Sequence, residues 1–568
     1  MSNPYSNNIS NNLDVSAATY LGGAGDDLSK AIDISLDGEV VLVGGTFTSD
    51  FGAEKTTLLG GGDGSIIRYD SQTNQVLSVT ELPETVFDIQ VSENGNVAVA
   101  YKGGIAVLNS DATEVKWNKS ITGASRISIS ESGNLAVVQD INNNSDQVVL
   151  FNAQGDELQS WETGSDARHY QDVVITDENG GQVFATGYDQ KAIDLQVAFT
   201  QSWSYGGEQQ WKNYDYNPND LKAESLTADT RGERLTIGQD GELYIAHYIN
   251  GGTGASLFSR EALNLSESSD EETVVTDKYN NPFNTGSMSM IYYGQYDLGS
   301  GELIQGQSLL GRRSGDRGNT VKVYSIDATE NGTVILGGTA AYGIENREEL
   351  TIEEQQVNPY IALDGYIAVI SPDFQERLAW TPISQSSNAV AATRDGLVAV
   401  TASTNYSGNQ ITHNSVQSNK GSTEDGYLLI IGGNDSNDIQ QPTTPQSESN
   451  SGVVDRDYLT NYGENNQQNT VQDSLGMESI YPLADINLDN NIGSMVQRLD
   501  NINSLSSYSI SDRKTLEGVI AQDSYDWSVD NLISLGSVLD VSQKLGVDDN
   551  KVDVEPVNSF SYINGDFV

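Results

Sequence analysis

YLGGAGDDLSKAIDISLDGEVVLVGGT, Tyr20 to Thr46, reads as glycine turn, strand, tight turn, strand. Its second part is apolar alternation, then Asp37-Gly38, then alternation again. That pattern recurs at FDIQVSENGNVAVA (Phe87–Ala100), RISISESGNLAVV (Arg126–Val138) and VVITDENGGQVFATG (Val173–Gly187). It recurs again at LTIGQDGELYIA (Leu235–Ala246), YSIDATENGTVILGG (Tyr324–Gly338) and AVAATRDGLVAVT (Ala389–Thr401). Seven hairpins are therefore expected, each turning on a Gly that supplies the positive φ a tight turn needs. Strand pairs repeating every roughly 40–50 residues predict a β-propeller.

A second pair of strands is expected after each hairpin. Third strands begin at DGSIIRYD (Asp63–Asp70), GGIAVLN (Gly103–Asn109), DQVVLFN (Asp146–Asn152) and LQVAFTQSW (Leu195–Trp203). The others are SMIYYGQYD (Ser289–Asp297), DGYIAVISP (Asp364–Pro372) and DGYLLIIGG (Asp425–Gly433). Fourth strands follow in six units, and Trp117, Trp161, Trp211 and Trp380 sit on them, a pattern expected to pack unit on unit. The seventh unit lacks a fourth strand. Ala17–Leu21, ahead of the first hairpin, is expected to fill that place and close the ring, tying up an otherwise open edge.

The composition limits the partners. The chain has 568 residues, with 29 basic against 80 acidic side chains and a formal charge of −51. Such a surface repels nucleic acid and anionic membranes and attracts divalent cations. There is no cysteine, so no disulfide or thiolate site. The histidines are His169, His247 and His413, too scattered for a zinc cluster. No apolar run reaches the ~18–20 residues that span a bilayer, so no membrane insertion is expected. The N-terminus lacks the basic and apolar regions of a standard secretory signal.

Loop lengths point to one face. The turns between strands 1 and 2 and between strands 3 and 4 are short. Loops between strands 2 and 3 are long at Thr46–Gly62, Tyr248–Met288, Thr339–Leu363 and Ser403–Glu424. Binding residues concentrate on loops held by a rigid scaffold, so this face is the expected functional face. Acids recur on it: Asp26 and Asp27, Asp63, Asp166, Asp316, Asp364 and Asp425. Paired carboxylates with backbone carbonyls suit Ca²⁺, and Asp26 with Asp27 is a candidate site. Gly22–Asp27 matches the start of an RTX calcium nonapeptide, but Ser29 occupies the apolar position and no tandem copy follows. No G-x-S-x-G, H-E-x-x-H or phosphate loop appears, so no catalytic residue is assigned. His169 beside Arg168 and Tyr170 lies on the loop-rich face.

The character of the chain changes after Gly433. Residues 434–472 have linker composition. From 473 to 568, SMVQRLDNINSL, DRKTLEGVIAQ and VDNLISLGSVLDVSQKL have helical spacing and predict a small helical module. Asp485, Asn487, Asp489 and Asn491 place oxygens at positions 1, 3, 5 and 7 of an EF-hand-like calcium loop. Asn490 stands at position 6 and Val496 at position 12, so the loop departs from the standard pattern.

TYLGGAGDDLSKAIDISLDGEVVLVGGTFTSDF, followed by GGGDGSIIRYDSQTNQV, resembles the SBBP family of bacterial β-propeller repeats. The likeness covers the first unit well, the sixth and seventh more weakly. It implies a propeller, usually on secreted or surface proteins, and no particular activity. The ending Asp566-Phe567-Val568 resembles the C-terminal signals of type I secreted proteins, which are acidic and avoid cysteine. The expectation is an all-β, seven-bladed propeller over 17–433, after a lead at 1–16, closed by an N-terminal strand and followed by the linker and helical module. It is expected outside the cell or on its surface, stabilised by calcium, binding a glycan, a protein or itself. The alternative is an extracellular polysaccharide hydrolase or lyase using carboxylates on the same face.

Overall fold

The computed structural model describes residues 15–432 apart from 143–144, 165–167, 193–194, 252, 270–288, 310, 314–316, 342–350, 353–354, 357–364, 384–385 and 395. The chain divides into Met1–Thr443 and Thr444–Val568. The second unit, with Asp485, Asn487, Asp489 and Asn491, lies outside the described residues. The described chain is nearly all β. Its one α-helix, Pro218–Ala223, is six residues long, and no described helix is long and apolar enough to cross a membrane.

All seven hairpins form. In chain order they are Leu28–Ile34 with Val40–Thr46, Val86–Val91 with Val97–Tyr101, and Ala124–Ile129 with Leu135–Asn142. Then come Arg168–Thr176 with Gln182–Ala192 and Asp229–Ile237 with Leu243–Asn250. Val321–Ala328 with Val334–Ala340 and Ser386–Ala392 with Val398–Thr404 complete the set, numbered hairpins 1 to 7 below. Turn glycines adopt positive φ, from 72° at Gly38 to 95° at Gly181. Third strands pair antiparallel with every hairpin, as Gly365–Ile370 does with hairpin 6. The sheets of hairpins 3 and 4 are joined by one parallel pairing, Ser145 with Arg168. On hairpin 7 the third strand is Asp425–Ile431, and the strand outside it is Val15–Leu21.

Each first strand carries an irregularity near its start. The register skips Lys30, Phe87, Ser125, Gln171, Glu233, Tyr324 and Asn388 in hairpins 1 to 7. Such a bulge bends the strand and re-aims its side chains. It also brings backbone against the second strand. A Cβ at Gly45, Gly187 or Gly338 would lie 1.8–1.9 Å from the carbonyl oxygen of Leu28, His169 or Lys322. Only glycine tolerates that approach, which explains the Gly of Gly45-Thr46 and Gly338-Thr339 and the Gly187 that follows Thr186.

The core lies between sheets. Ala31, Leu42 and Ile66 of the first sheet pack on Val86, Val97 and Leu108 of the second. Six further apolar clusters join each sheet to the next, and the last joins hairpin 7 back to hairpin 1. Tryptophans seal the outer part. Trp117 lies 6.0 Å from Phe151 of the next sheet, and Trp161 stacks on Trp203 at 5.0 Å. The Trp211 indole N–H donates to the Leu298 carbonyl at 3.0 Å.

Long loops turn out to cover edges. Glu54–Thr57 pairs parallel with the fourth strand of the first sheet. Residues 410–418 lie along the closing strand, where the Tyr20 N–H donates to the Gln417 carbonyl and the Thr412 N–H to that of Ala18. The loop after hairpin 5 places Leu257 and Phe258 on Tyr214 and Leu221. Unpaired outer strands invite association with other chains, and these segments occupy them.

Candidate functional site

The first strands touch in sequence order, and that of hairpin 7 touches that of hairpin 1. Together they line one cavity of about 130 Å³. The bulges set what faces it. Immediately after the skipped residue stand Asp88, Arg126, Asp172 and Arg234 in hairpins 2 to 5, then Ser325 and Ala389 in hairpins 6 and 7. Two residues further on, Asp33 and Asp327 add two more acids.

These carboxylates stitch the strands together. Asp33 accepts from its neighbour Ile34 N–H at 2.8 Å and, across the sheet boundary, from Val91 N–H at 2.6 Å. Asp88 accepts from Ile89 at 3.1 Å and Ile127 at 2.9 Å. Asp172 repeats this with Val173 and Leu235, and Asp327 with Ala328 and Ala392. Gln90 and Ser128 accept the same inter-sheet N–H in their units. Burial pushes the Asp33 carboxyl up to about 7, and those of Asp88 and Asp327 up to about 6. Burial raises Asp172 and Glu233 too, and pulls Arg234 down to about 10.

Asp26 and Asp27 sit in a second place, where the link after the closing strand meets the end of the 405–424 loop. Asp27 is fully buried and accepts from Gly23 N–H at 2.6 Å, from Thr48 N–H and from the Thr48 hydroxyl at 3.2 Å. Burial raises its carboxyl. Asp26 is exposed and accepts from Glu424 N–H at 3.2 Å. Asp425 is spent likewise, on Gly421, Ser422 and Gln417. Cation binding at Asp27 would compete with these donors. Among the described residues no three acidic or histidine side chains converge on one point. Asp63 lies at its loop without a recorded bond, and Asp166, Asp316 and Asp364 fall outside the described residues.

A third group lies at the loop-side ends of hairpins 4 and 5. Arg231 stands 4.9 Å from the Tyr188 ring and 5.1 Å from that of Tyr248. His169 lies 5.1 Å from Tyr188, with Nδ1 3.2 Å from Asp146. Beneath them Arg168 bridges Asp189 and Asp215 at 3.1 and 2.9 Å over the face of Phe199. No serine hydroxyl bonds His169 among the described residues, so the His–Asp pair has no nucleophile attached to it. His247 is fully buried, held neutral by burial that lowers it to about 3, with Nε2 3.2 Å from the Tyr296 hydroxyl.

The acids and arginines of the cavity were not singled out in the sequence. Their signal is there: a charged or polar residue interrupts the apolar alternation of the first strands of hairpins 1 to 6, as in AIDIS, FDIQ and SIDA, but not in the AVAA of hairpin 7.

No protein-family model matches the chain, and no curated protein does. Among solved structures it is similar to Kuenenia stuttgartiensis Hydrazine Synthase, with a TM-score of 0.40 and 10% identity over 66% of this chain and 93% of that one.

Proposed function

We propose that the chain is a seven-bladed propeller, secreted or held on the cell surface, that works as a binding or structural module through its long-loop face. The observation that carries the architecture is the unbroken circuit of first strands around one cavity. The resemblance of Tyr20–Thr46 to SBBP repeats, usual on secreted or surface proteins, supports the location. Axial chemistry is disfavoured on size: about 130 Å³ falls below the roughly 300–1,000 Å³ of ordinary ligand pockets. The axial carboxylates also spend their oxygens on backbone N–H groups. This weighs against the polysaccharide hydrolase or lyase.

The ligand we favour is an extracellular glycan, with a protein or a second copy as other outcomes. Tyr188 and Tyr248 flank Arg231 at the loop-side rim, and aromatic faces beside a fixed donor suit sugar rings and their hydroxyls. Calcium stabilises the fold in this reading at Asp485, Asn487, Asp489 and Asn491; Asp26 and Asp27 are the weaker candidate, because the Asp27 oxygens already accept from Gly23 and Thr48.

One experiment tests both parts. Labelled protein is applied to immobilised neutral and acidic polysaccharides with calcium, magnesium or sodium at matched ionic strength. Tyr248→Ala is expected to weaken binding about tenfold, or ~1.4 kcal/mol. Calcium 100-fold over its Kd is expected to add about 2.7 kcal/mol to stability. The double change Asp485→Ala, Asp489→Ala removes that gain. New reducing ends, or binding unchanged by Tyr248→Ala, would overturn the module reading. Calcium and magnesium acting alike would overturn the calcium site.

A further inference from the structure

The hydrogen-bond accounting of the axial cavity is lopsided. Asp33, Asp88, Asp172 and Asp327 each have both carboxylate oxygens engaged by N–H donors. Thr236 adds a hydroxyl bond to Asp327 at 3.2 Å. The donors are not matched in the same way. Arg126 has a single ion contact, 4.0 Å to Asp88, and no hydrogen bond, although a guanidinium offers five N–H groups. The Ser325 hydroxyl oxygen is buried without a partner. Lys30 lines the cavity and makes no recorded bond. Arg234 is better served, donating Nε–H to the Tyr324 carbonyl at 2.6 Å and Nη1–H to that of Glu233.

The shape is lopsided too. At the position after the bulge, hairpins 2 to 5 carry four charged side chains, the short Asp88 and Asp172 alternating with the long Arg126 and Arg234. Ser325 and Ala389 stand there on hairpins 6 and 7, leaving room opposite Arg126. The buried, unpartnered Ser325 hydroxyl costs about 1–3 kcal/mol, and the Arg126 guanidinium, a quarter exposed, still has N–H groups to offer, so the cavity favours an acceptor-rich occupant. Its volume of about 130 Å³ suits a small ion with water rather than a sugar.

We infer that the axial cavity is a binding site for a small oxyanion, of the size of acetate or sulfate, held by Arg126 with Ser325 and Lys30 as further donors. The inference does not rest on the loop-face reading. The charged groups that line the cavity are Lys30, Arg126 and Arg234 on one side of the balance and Asp33, Asp88, Asp172 and Asp327 on the other, with Glu233 next to Arg234 in the chain. Burial leaves Asp33, Asp88 and Asp327 titrating near 6–7. Their protonation removes repulsion, so binding tightens as pH falls from 8 to 6.

The test is a titration of the full chain with acetate, and separately with sulfate, against chloride at equal ionic strength. Melting temperature and calorimetric heat are the readouts. A saturable response below about 10 mM at pH 6 is expected, at least tenfold weaker at pH 8. Arg126→Gln is expected to abolish it, and Arg126→Lys to keep part of it while confirming that the site folds. Absence of any saturable response in the natural chain at pH 6 would overturn the site and leave water as its occupant. A response unchanged in Arg126→Gln would overturn it equally.

Discussion

A chain lacking residues 1–21 is expected to aggregate or to lose its cooperative melt. Ala17, Ala18, Tyr20 and Leu21 are all 0–1% exposed. They alternate between two cores: Ala18 and Tyr20 face the sheet of hairpin 6, Ala17 and Leu21 that of hairpin 1. The Tyr20 ring meets Tyr427 edge-on at 5.8 Å, and its hydroxyl donates to the Tyr406 carbonyl at 3.1 Å. Burying a large apolar side chain contributes about 1.5–3 kcal/mol, and each ladder bond about 1. The strand as a whole contributes on the order of 5–10 kcal/mol, comparable with the entire stability of many domains. Its removal also strips the edge from GYLLII, Gly426–Ile431, a wholly buried apolar strand suited to pairing with other chains. Size-exclusion chromatography and calorimetry read the outcome. A truncated chain as soluble and cooperative as the full one would contradict this account of the strand.

Between pH 5 and 8 the melting temperature is expected to fall as pH rises, the reverse of ordinary acid denaturation. Asp33 in the folded chain titrates at about 7, Asp88 and Asp327 at about 6, against 3.8 for an ordinary aspartate. The folded state therefore holds more protons than the unfolded state across this window, and stability declines with pH. Their contribution is whole below about pH 4 and is lost as pH passes 6 to 7. One pK unit corresponds to 1.36 kcal/mol, so Asp33 alone has a ceiling of about 4 kcal/mol. Contact with the cavity lowers that figure, and several kcal/mol for the three together is expected. Self-repulsion at a charge of −51 acts in the same direction. Asp37 and Asp297, held low chiefly by serine hydroxyls, work the other way only below pH 4. Asp33→Asn should flatten the slope. A melting temperature flat or rising from pH 5 to 8, or a slope unchanged by that substitution, would contradict the assignment.

The strands were legible because each hairpin turn is marked by a glycine that must take positive φ and is flanked by period-2 alternation. The closing strand was legible by elimination: the seventh unit ended without a fourth strand, and Ala17–Leu21 was an apolar run without a partner. What the cavity holds was harder to read. A single Asp in AIDIS looks like a surface residue of an alternating strand until the bulge at Lys30 turns it toward the axis. The same limit applied to Asp26 and Asp27. Adjacent acids after Gly-Gly fit calcium, yet the fold aims Asp27 at the N–H groups of Gly23 and Thr48, a contact across a loop that spacing does not encode. Loop length misled in part, because Glu54–Thr57 and residues 410–418 spend their length covering strand edges. The calcium-loop candidate at Asp485–Asn491 lies outside the described residues.

The claim that strands from the two ends of the described chain meet in one sheet has a direct measurement, made clean by the absence of cysteine. Ala18 is paired with Leu429, and Thr19 with Leu428. Paired Cα atoms in antiparallel strands lie about 4.5–5.5 Å apart, inside the range a disulfide bridges. Adjacent pairs alternate between hydrogen-bonded and non-hydrogen-bonded geometry, so making both double variants, Ala18→Cys with Leu429→Cys and Thr19→Cys with Leu428→Cys, covers the geometry. After mild oxidation, at least one variant should run as a single, faster-migrating monomer on a non-reducing gel and melt higher by up to about 5 kcal/mol of added stability. Free thiols in both variants, or cross-links only between chains, would contradict closure by Val15–Leu21.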